Sequence, residues 1–290
     1  MRNALSVDVE DWFQVGAFEN TIARDDWAGL PHRVERNTDA VLELLDDAGV
    51  KATFFTLGWV AERYPALIRR IAENGHEVAS HGYDHQRVFT FTPFRFRADL
   101  RKARDLLENA AGCRVTGYRA PSFSIDTRTP WAHPILAEEG YVYSSSVAPV
   151  KHDHYGWPDS PRFAWHPVEG SSLVELPVTT ARFMGRTLAA GGGGFFRLFP
   201  YAFSRWAVRQ VNGDYARPAI IYFHPWEIDP DQPRVEEAPL RSKVRHYTNL
   251  RLMAPKLRRL ARDFAWGRID ELVEAEAARL TSTPLVEQAA

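Results

Sequence analysis

Residues 3–13 read NALSVDVEDWF, and how this run is read decides the rest of the chain. Ala4, Leu5 and Val7 suit a buried strand, yet Asp8, Glu10 and Asp11 crowd its far end beside Trp12 and Phe13. A buried carboxylate is costly unless it is paired or bound to a metal. Three of them at one strand end therefore call for cationic partners. In parallel α/β folds, strand ends are also where chemistry is assembled.

Outward from that strand (residues 3–9), the pattern alternates. Residues 34–48 carry helical spacing that stops at Gly49, and KATFFT (51–56) is a short aromatic strand. A helix over 61–74 stops at Gly75, and HEVAS (76–80) is a further strand. Residues 97–110 form a charged amphipathic helix. Residues 115–119 and 141–144 are short strands with a helix near 134–139 between them. Repeated βα units predict an α/β fold with a parallel sheet or barrel and helices outside.

From about Val147 the chain turns loop-like and is dense in Pro, Gly, His and Trp. SLVELP (172–177) reads as a strand, and AIIYF (219–223) is an apolar strand running into His224. Closing helices are expected over 250–264 and 270–280. The run Gly191–Gly194 lacks the Gly-Lys-Ser/Thr ending of a phosphate loop and reads as a flexible turn, hinge or lid. Nothing marks a repeat or a linker. Residues 1–290 are expected to form a single domain, 1–146 carrying the first motifs and 147–290 the specific loops, the last barrel strand and the C-terminal extension.

With 290 residues, 45% hydrophobic, the chain can bury a substantial core, and a net charge of −1 gives no reason to expect nucleic acid. Cys113 is the only cysteine, so any metal must be held by His and carboxylate. Acidic residues come too early for a signal peptide, and no run approaches ~20 apolar residues. The chain is read as soluble and cytoplasmic, without membrane insertion.

In SHGYDHQ (80–86), His81 and His85 stand four apart, which would place both imidazoles on one side of a helical turn. Asp8/Glu10/Asp11, His81/His85, Arg119 and His224 each end an expected strand. Two His and one carboxylate leave coordination positions open for water and substrate, as a catalytic divalent metal requires. Zinc is the first expectation, and cobalt, nickel or manganese suit the same ligands. A second carboxylate is then needed as base. Strand alternation puts Asp8 and Glu10 on one face, with Asp11 on the other or already in the loop.

Taken in order, SVDVED, SHGYDH, GYRAPSF and IIYFHPWE resemble the motifs of the polysaccharide deacetylases, the chitooligosaccharide deacetylase-like group of carbohydrate esterase family four. ELPVTT, GGGGFFRLFP, YFHPWEIDPDQPR and RHYTNL are similar, more narrowly, to the exosortase-associated exopolysaccharide deacetylases. The resemblance implies a distorted (β/α) barrel with fewer than eight full units. It implies a metal-dependent hydrolase that removes N-acetyl groups from amino sugars of a bacterial exopolysaccharide or its precursor, with an N-acetylated oligo- or polysaccharide as partner.

By the same resemblance Asp8 is the base, Glu10, His81 and His85 hold the metal, and Arg119 pairs with Asp8. A shifted register would make Glu10 the base and Asp11 the ligand, so Asp11 is a rival ligand. Backbone N–H groups at Ser122 or Phe123 would serve an oxyanion hole, and His224 is the general acid. The carboxylate-plus-tryptophan motif that orients this acid in relatives is not apparent, which leaves Glu175 or Asp229 for the task. Tyr155, Trp157 and Trp226 are candidate stacking surfaces for pyranose rings. His152 and His154 sit in a loop that lines a sugar groove or simply covers the barrel, or else form a second metal site. The alternatives are a hydrolase of another amide or an O-acetyl ester, and a non-catalytic glycan-binding module. Retention of Asp8, Arg119 and His224 together argues against the last.

Overall fold

A computed structural model describes residues 1–152 and 155–282. Its centre is β1 (Arg2–Val9), buried from Asn3 to Val9. On one side follow β2 (Thr53–Thr56), β3 (Glu77–Ser80), β4 (Gly117–Tyr118), β5 (Tyr143–Ser144) and β6 (Val174–Glu175), every pair parallel. A separate antiparallel hairpin, which the sequence pattern did not suggest, joins β7 (Thr180–Phe183) to β8 (Arg186–Ala189). On its other side, residues 4–7 of β1 pair with β9 (Ile220–Phe223), and residues 2–4 pair with β10 (Ala265–Gly267).

Around the sheet run α1 (Val34–Asp47), α2 (Gly58–Arg63), α3 (Pro65–Glu73), α4 (Pro93–Ala111) and α5 (Ala132–Glu138). The later helices are α6 (Gly193–Leu198), α7 (Tyr201–Asp214), α8 (Leu240–Tyr247), α9 (Leu250–Asp263) and α10 (Asp270–Ser282). In α1, Val34, Val41, Leu44 and Leu45 supply the buried stripe of an amphipathic helix. Thr92 caps α4 by accepting from the Arg95 N–H at 3.3 Å, and Gly112 ends it with φ 70°. The helix expected over 61–74 is in fact two. Tyr64 leaves the helical region (φ −127°, ψ 54°) because Pro65 disfavours the α conformation in the residue before it.

The result is the expected distorted barrel, and its distortion has a local cause. Between β6 and β9 irregular backbone replaces a full strand. Thr179 N–H donates to Ile220 O at 3.2 Å, and Tyr222 N–H donates to Gly191 O at 2.8 Å. The glycine run belongs to this seam, which corrects its reading as a hinge or lid. A Cβ on Gly191 would lie 2.5 Å from Val178 Cγ2, and one on Gly192 would lie 2.8 Å from the Tyr222 hydroxyl. These residues are small because backbone packs directly against β9. Among the described residues, no helix is long and apolar enough to cross a membrane.

Candidate active site

Asp8 lies one residue before the end of β1, and its Oδ1 accepts from Arg119 Nη1 at 2.6 Å. Arg119 follows β4 and is fully buried. Its other donors reach Ser6 Oγ (2.8 Å), Ser145 O (3.1 Å) and Ser145 Oγ (3.0 Å). A guanidinium so placed is satisfied on every side it presents, which makes its burial tolerable.

Ligand atoms of Glu10, His81 and His85 lie within 4.8 Å of one another. His81 Nδ1 donates to the Arg119 carbonyl at 2.8 Å, which leaves its Nε2 lone pair for the site. His85 Nε2 is 3.0 Å from Glu10 Oε2 without the alignment of a hydrogen bond, and that buried oxygen has no hydrogen-bond donor. Ligands converging on a shared third centre have this geometry; a bonded pair does not. Burial depresses His81 to about 4 and His85 well below its usual value, so both imidazoles are neutral at pH 7. Burial also lifts the Glu10 carboxyl to about 7, against the pull of His224. The donor set therefore fits a divalent cation. The helical turn expected for the His pair is absent: Gly82 (φ 74°) and His85 (φ 58°) are left-handed residues of a loop.

Asp11 turns away from this cluster. Its Oδ1 accepts from Trp12 N–H at 2.8 Å, and its Oδ2 accepts from Arg33 and Val34 N–H at 2.7 and 3.0 Å, at the start of α1. It ties the loop after β1 to a helix N-terminus.

Opposite stands His224, directly after β9. Its Nδ1 is 2.7 Å from Glu227 Oε1, and its Nε2 is 3.4 Å from Glu10 Oε1. Arg197 Nε donates to Glu227 Oε2 at 2.5 Å, and its remaining donors reach the carbonyls of Arg245, His246 and Thr248. Burial alone would depress His224, but the carboxylates of Glu10 and Glu227 outweigh it and raise the imidazole to about 9. Glu227 is held below its usual value: burial opposes ionisation, and Arg197 and His224 overcome it.

Neither expected partner orients His224. Glu175 accepts from the N–H groups of Ser146 and Val147 and lies 3.0 Å from His133 Nε2. Asp229 pairs with Arg33 and Arg36 at 3.0 and 3.1 Å. Sequence reasoning missed Glu227 and Arg197. The available signal was HPWE itself, an acid three residues after His224 across a proline-started turn.

Asp8, Glu10, His81, His85, Arg197, His224 and Glu227 line a cavity of about 220 Å³ together with Ser122, Phe123, Tyr155 and Trp226. Phe123 N–H is already committed to Ala120 O at 3.0 Å, which takes it out of the oxyanion role. Tyr155 stacks on His152 at 4.1 Å, while His154 lies outside the described residues. Trp226 is buried, stacked on His224 and His246, and donates through Nε1 to Glu10 Oε1 at 3.2 Å. It packs and orients; it offers no open face to a sugar. Trp157 packs against the main core and Trp165, away from the cavity.

Residues 24–143 match the polysaccharide deacetylase family, and residues 145–274 match a domain of unknown function, DUF3473. A peptidoglycan deacetylase-like protein of Gibberella zeae is 31% identical over 150 residues, covering 50% of this chain and 43% of that protein. A peptidoglycan N-acetylglucosamine deacetylase of Listeria monocytogenes is 45% identical over 151 residues, covering 50% of this chain and 32% of that protein. The matched region thus spans less than half the length of these curated relatives. A candidate polysaccharide deacetylase from Mycobacterium smegmatis shares the fold, with a TM-score of 0.59, 22% identity and coverage of 98% of this chain and 93% of that one. The Puue allantoinase shares it too, at a TM-score of 0.60 and 14% identity, covering 93% and 88% of the two chains.

Proposed function

We propose that the chain is a polysaccharide deacetylase, the family that residues 24–143 match, and that it acts as a divalent-metal-dependent N-deacetylase on amino sugars of a bacterial exopolysaccharide or its precursor. One observation carries this reading. The Asp8–Arg119 pair and the His224–Glu227–Arg197 chain approach the Glu10, His81, His85 cluster from two sides of one cavity. That arrangement provides a base, an acid and a ligand set for a single reacting centre.

A divalent cation held by Glu10, His81 and His85, zinc in this reading, would polarise the acetamide oxygen and lower the pKa of a water. Arg119 fixes Asp8, which takes a proton from the attacking water. Ser122 N–H donates toward the developing oxyanion. His224 delivers its Nε2 proton to the departing nitrogen, while Glu227 on Nδ1 holds the ring and its charge. The water oxygen leaves in acetate, and a free amine stays on the sugar. The two matched regions contribute to one sheet around β1, β2 to β4 and Tyr143 of β5 from the first and β6, β9 and β10 from the second. This supports reading residues 1–290 as a single catalytic domain.

The test is a panel of N-acetylated and O-acetylated glycans with zinc-loaded and chelated protein. Metal-dependent acetate release confined to the N-acetyl substrates is expected. Release only from O-acetyl esters would replace the reading by the ester hydrolase. Sugar binding without any release, by protein with one bound metal, would replace it by a glycan-binding module.

A further inference from the structure

Thirteen of the 36 Lys and Arg lie in two stretches, residues 176–213 and 238–262, that contain none of the 37 Asp and Glu. Those stretches carry +13, and the rest of the chain carries −14, a division hidden by the net charge of −1. A second, independent bias coincides with it. Of the ten large apolar side chains that stand exposed among the described residues, seven fall in the same two stretches. They include Met184 (86% exposed) and Phe183 at the tip of the β7–β8 hairpin, Leu198 and Phe199 at the end of α6, and Leu240 on α8.

The fold packs the hairpin, α6, α7 and α9 side by side. Lys256 of α9 donates to the carbonyls of Phe196 and Phe199 at 3.0 and 2.8 Å. The Arg259 guanidinium lies 4.5 Å over the Tyr201 ring, and Phe183 meets Trp206 of α7 edge-on at 6.1 Å. Between the hairpin and α6–α7 runs an apolar groove of about 740 Å³, lined by Phe183, Leu188, Phe195, Phe199, Phe203 and Trp206. Beside it, sharing Ala202 and Trp206, is a notch of about 420 Å³ lined by Arg205, Arg209 and Arg259 with Asp214. Arg205 also approaches Asp263 at 3.4 Å, so Arg209 and Arg259 dominate the notch.

We propose that this face docks on an anionic phospholipid bilayer. The hairpin tip enters the acyl boundary, the groove takes lipid chains, and the surrounding arginines meet phosphate groups. A predominantly basic surface around exposed Phe, Met and Leu is the composition of an interfacial, non-spanning contact. A polyanionic sugar or nucleic acid would use the charge but leaves the exposed apolar side chains unexplained. Gly194, Arg197, Ser242 and Arg245, all from the same stretches, line the catalytic cavity. Docking therefore brings that cavity to the lipid surface.

The experiment is co-sedimentation of the full chain with vesicles of phosphatidylglycerol and phosphatidylcholine, against vesicles of phosphatidylcholine alone. Binding is expected only with phosphatidylglycerol and should fall at high salt. The R182S/R186S variant should bind on the order of 25-fold more weakly, from about fivefold per arginine. The F183S/M184S variant should lose at least about tenfold. Phe94, 81% exposed on α4 and outside both stretches, supplies the control: F94S should bind as wild type, and all variants should keep the wild-type circular dichroism. Equal binding to both vesicles, absence of binding, or an F183S/M184S variant indistinguishable from wild type would each overturn the proposal. A dimer in solution that F183S/M184S dissociates would also overturn it and assign the face to a second copy of the chain.

Discussion

Gly193 opens α6 against Glu227 so closely that a Cβ at position 193 would lie 2.1 Å from the carboxylate oxygen Oε1. That oxygen is the one facing His224 Nδ1 at 2.7 Å. A residue with no side chain thus sets the position of the carboxylate that orients the proposed acid.

Gly193→Ala should displace Glu227 and cost on the order of 10²-fold in kcat, the scale of a lost acid–base contribution. Near-wild-type unfolding with reduced kcat is the expected pair of results. Unchanged turnover would show that the Glu227–His224 contact is not required.

Glu227→Gln removes a carboxylate that, together with Glu10, raises His224 to about 9. An acid must be protonated to work, so wild-type activity should fall as pH rises through about 9. In the variant that limb should move down toward the ordinary histidine value near 6.5. A pH–rate profile reads this directly, and identical alkaline limbs would argue against His224 as the acid.

Arg119→Met would leave Asp8 buried without its partner, at a cost of about 3–5 kcal/mol in denaturant unfolding. Asp8→Asn in the same chain should recover much of that stability and none of the activity. If the double variant is as unstable as the single, packing around Phe55, whose ring lies 4.0 Å from the guanidinium carbon, explains the loss instead.

Glu77, buried on β3, accepts from Thr53 Oγ1 at 2.5 Å and Tyr143 OH at 2.7 Å. Burial, with Asp270 nearby, raises it to about 7. A carboxyl raised on folding stabilises fully below its unfolded value of about 4.5 and loses that contribution as pH rises through 7. Glu77→Gln should therefore match wild type near pH 4 and exceed it by about 3 kcal/mol near pH 8. A constant difference across that range would contradict the assignment.

The parts that could be read from sequence were those with short-range chemical signatures. β1 declared itself through apolar residues ending in acids, and Asp8, His81, His85, Arg119 and His224 each ended an expected strand that the barrel brings to one rim. What could not be read depended on contacts between distant segments. Arg197 lies 30 positions from Glu227 and reaches it only because the glycine run lets α6 pack on β9. Trp226 looked like a sugar platform because its type suits one, and only the packed structure shows His224 and His246 against it. The expected helical turn at His81–His85 failed because spacing of four does not distinguish a helix from a loop with two left-handed residues.

The most direct measurement is acetate release from N-acetylglucosamine oligomers by zinc-loaded wild type, Asp8→Asn and His224→Ala. The account predicts release by wild type alone, abolished by a chelator and restored by added zinc. No release by wild-type protein that retains one metal per chain, or release undiminished in both variants, would contradict it.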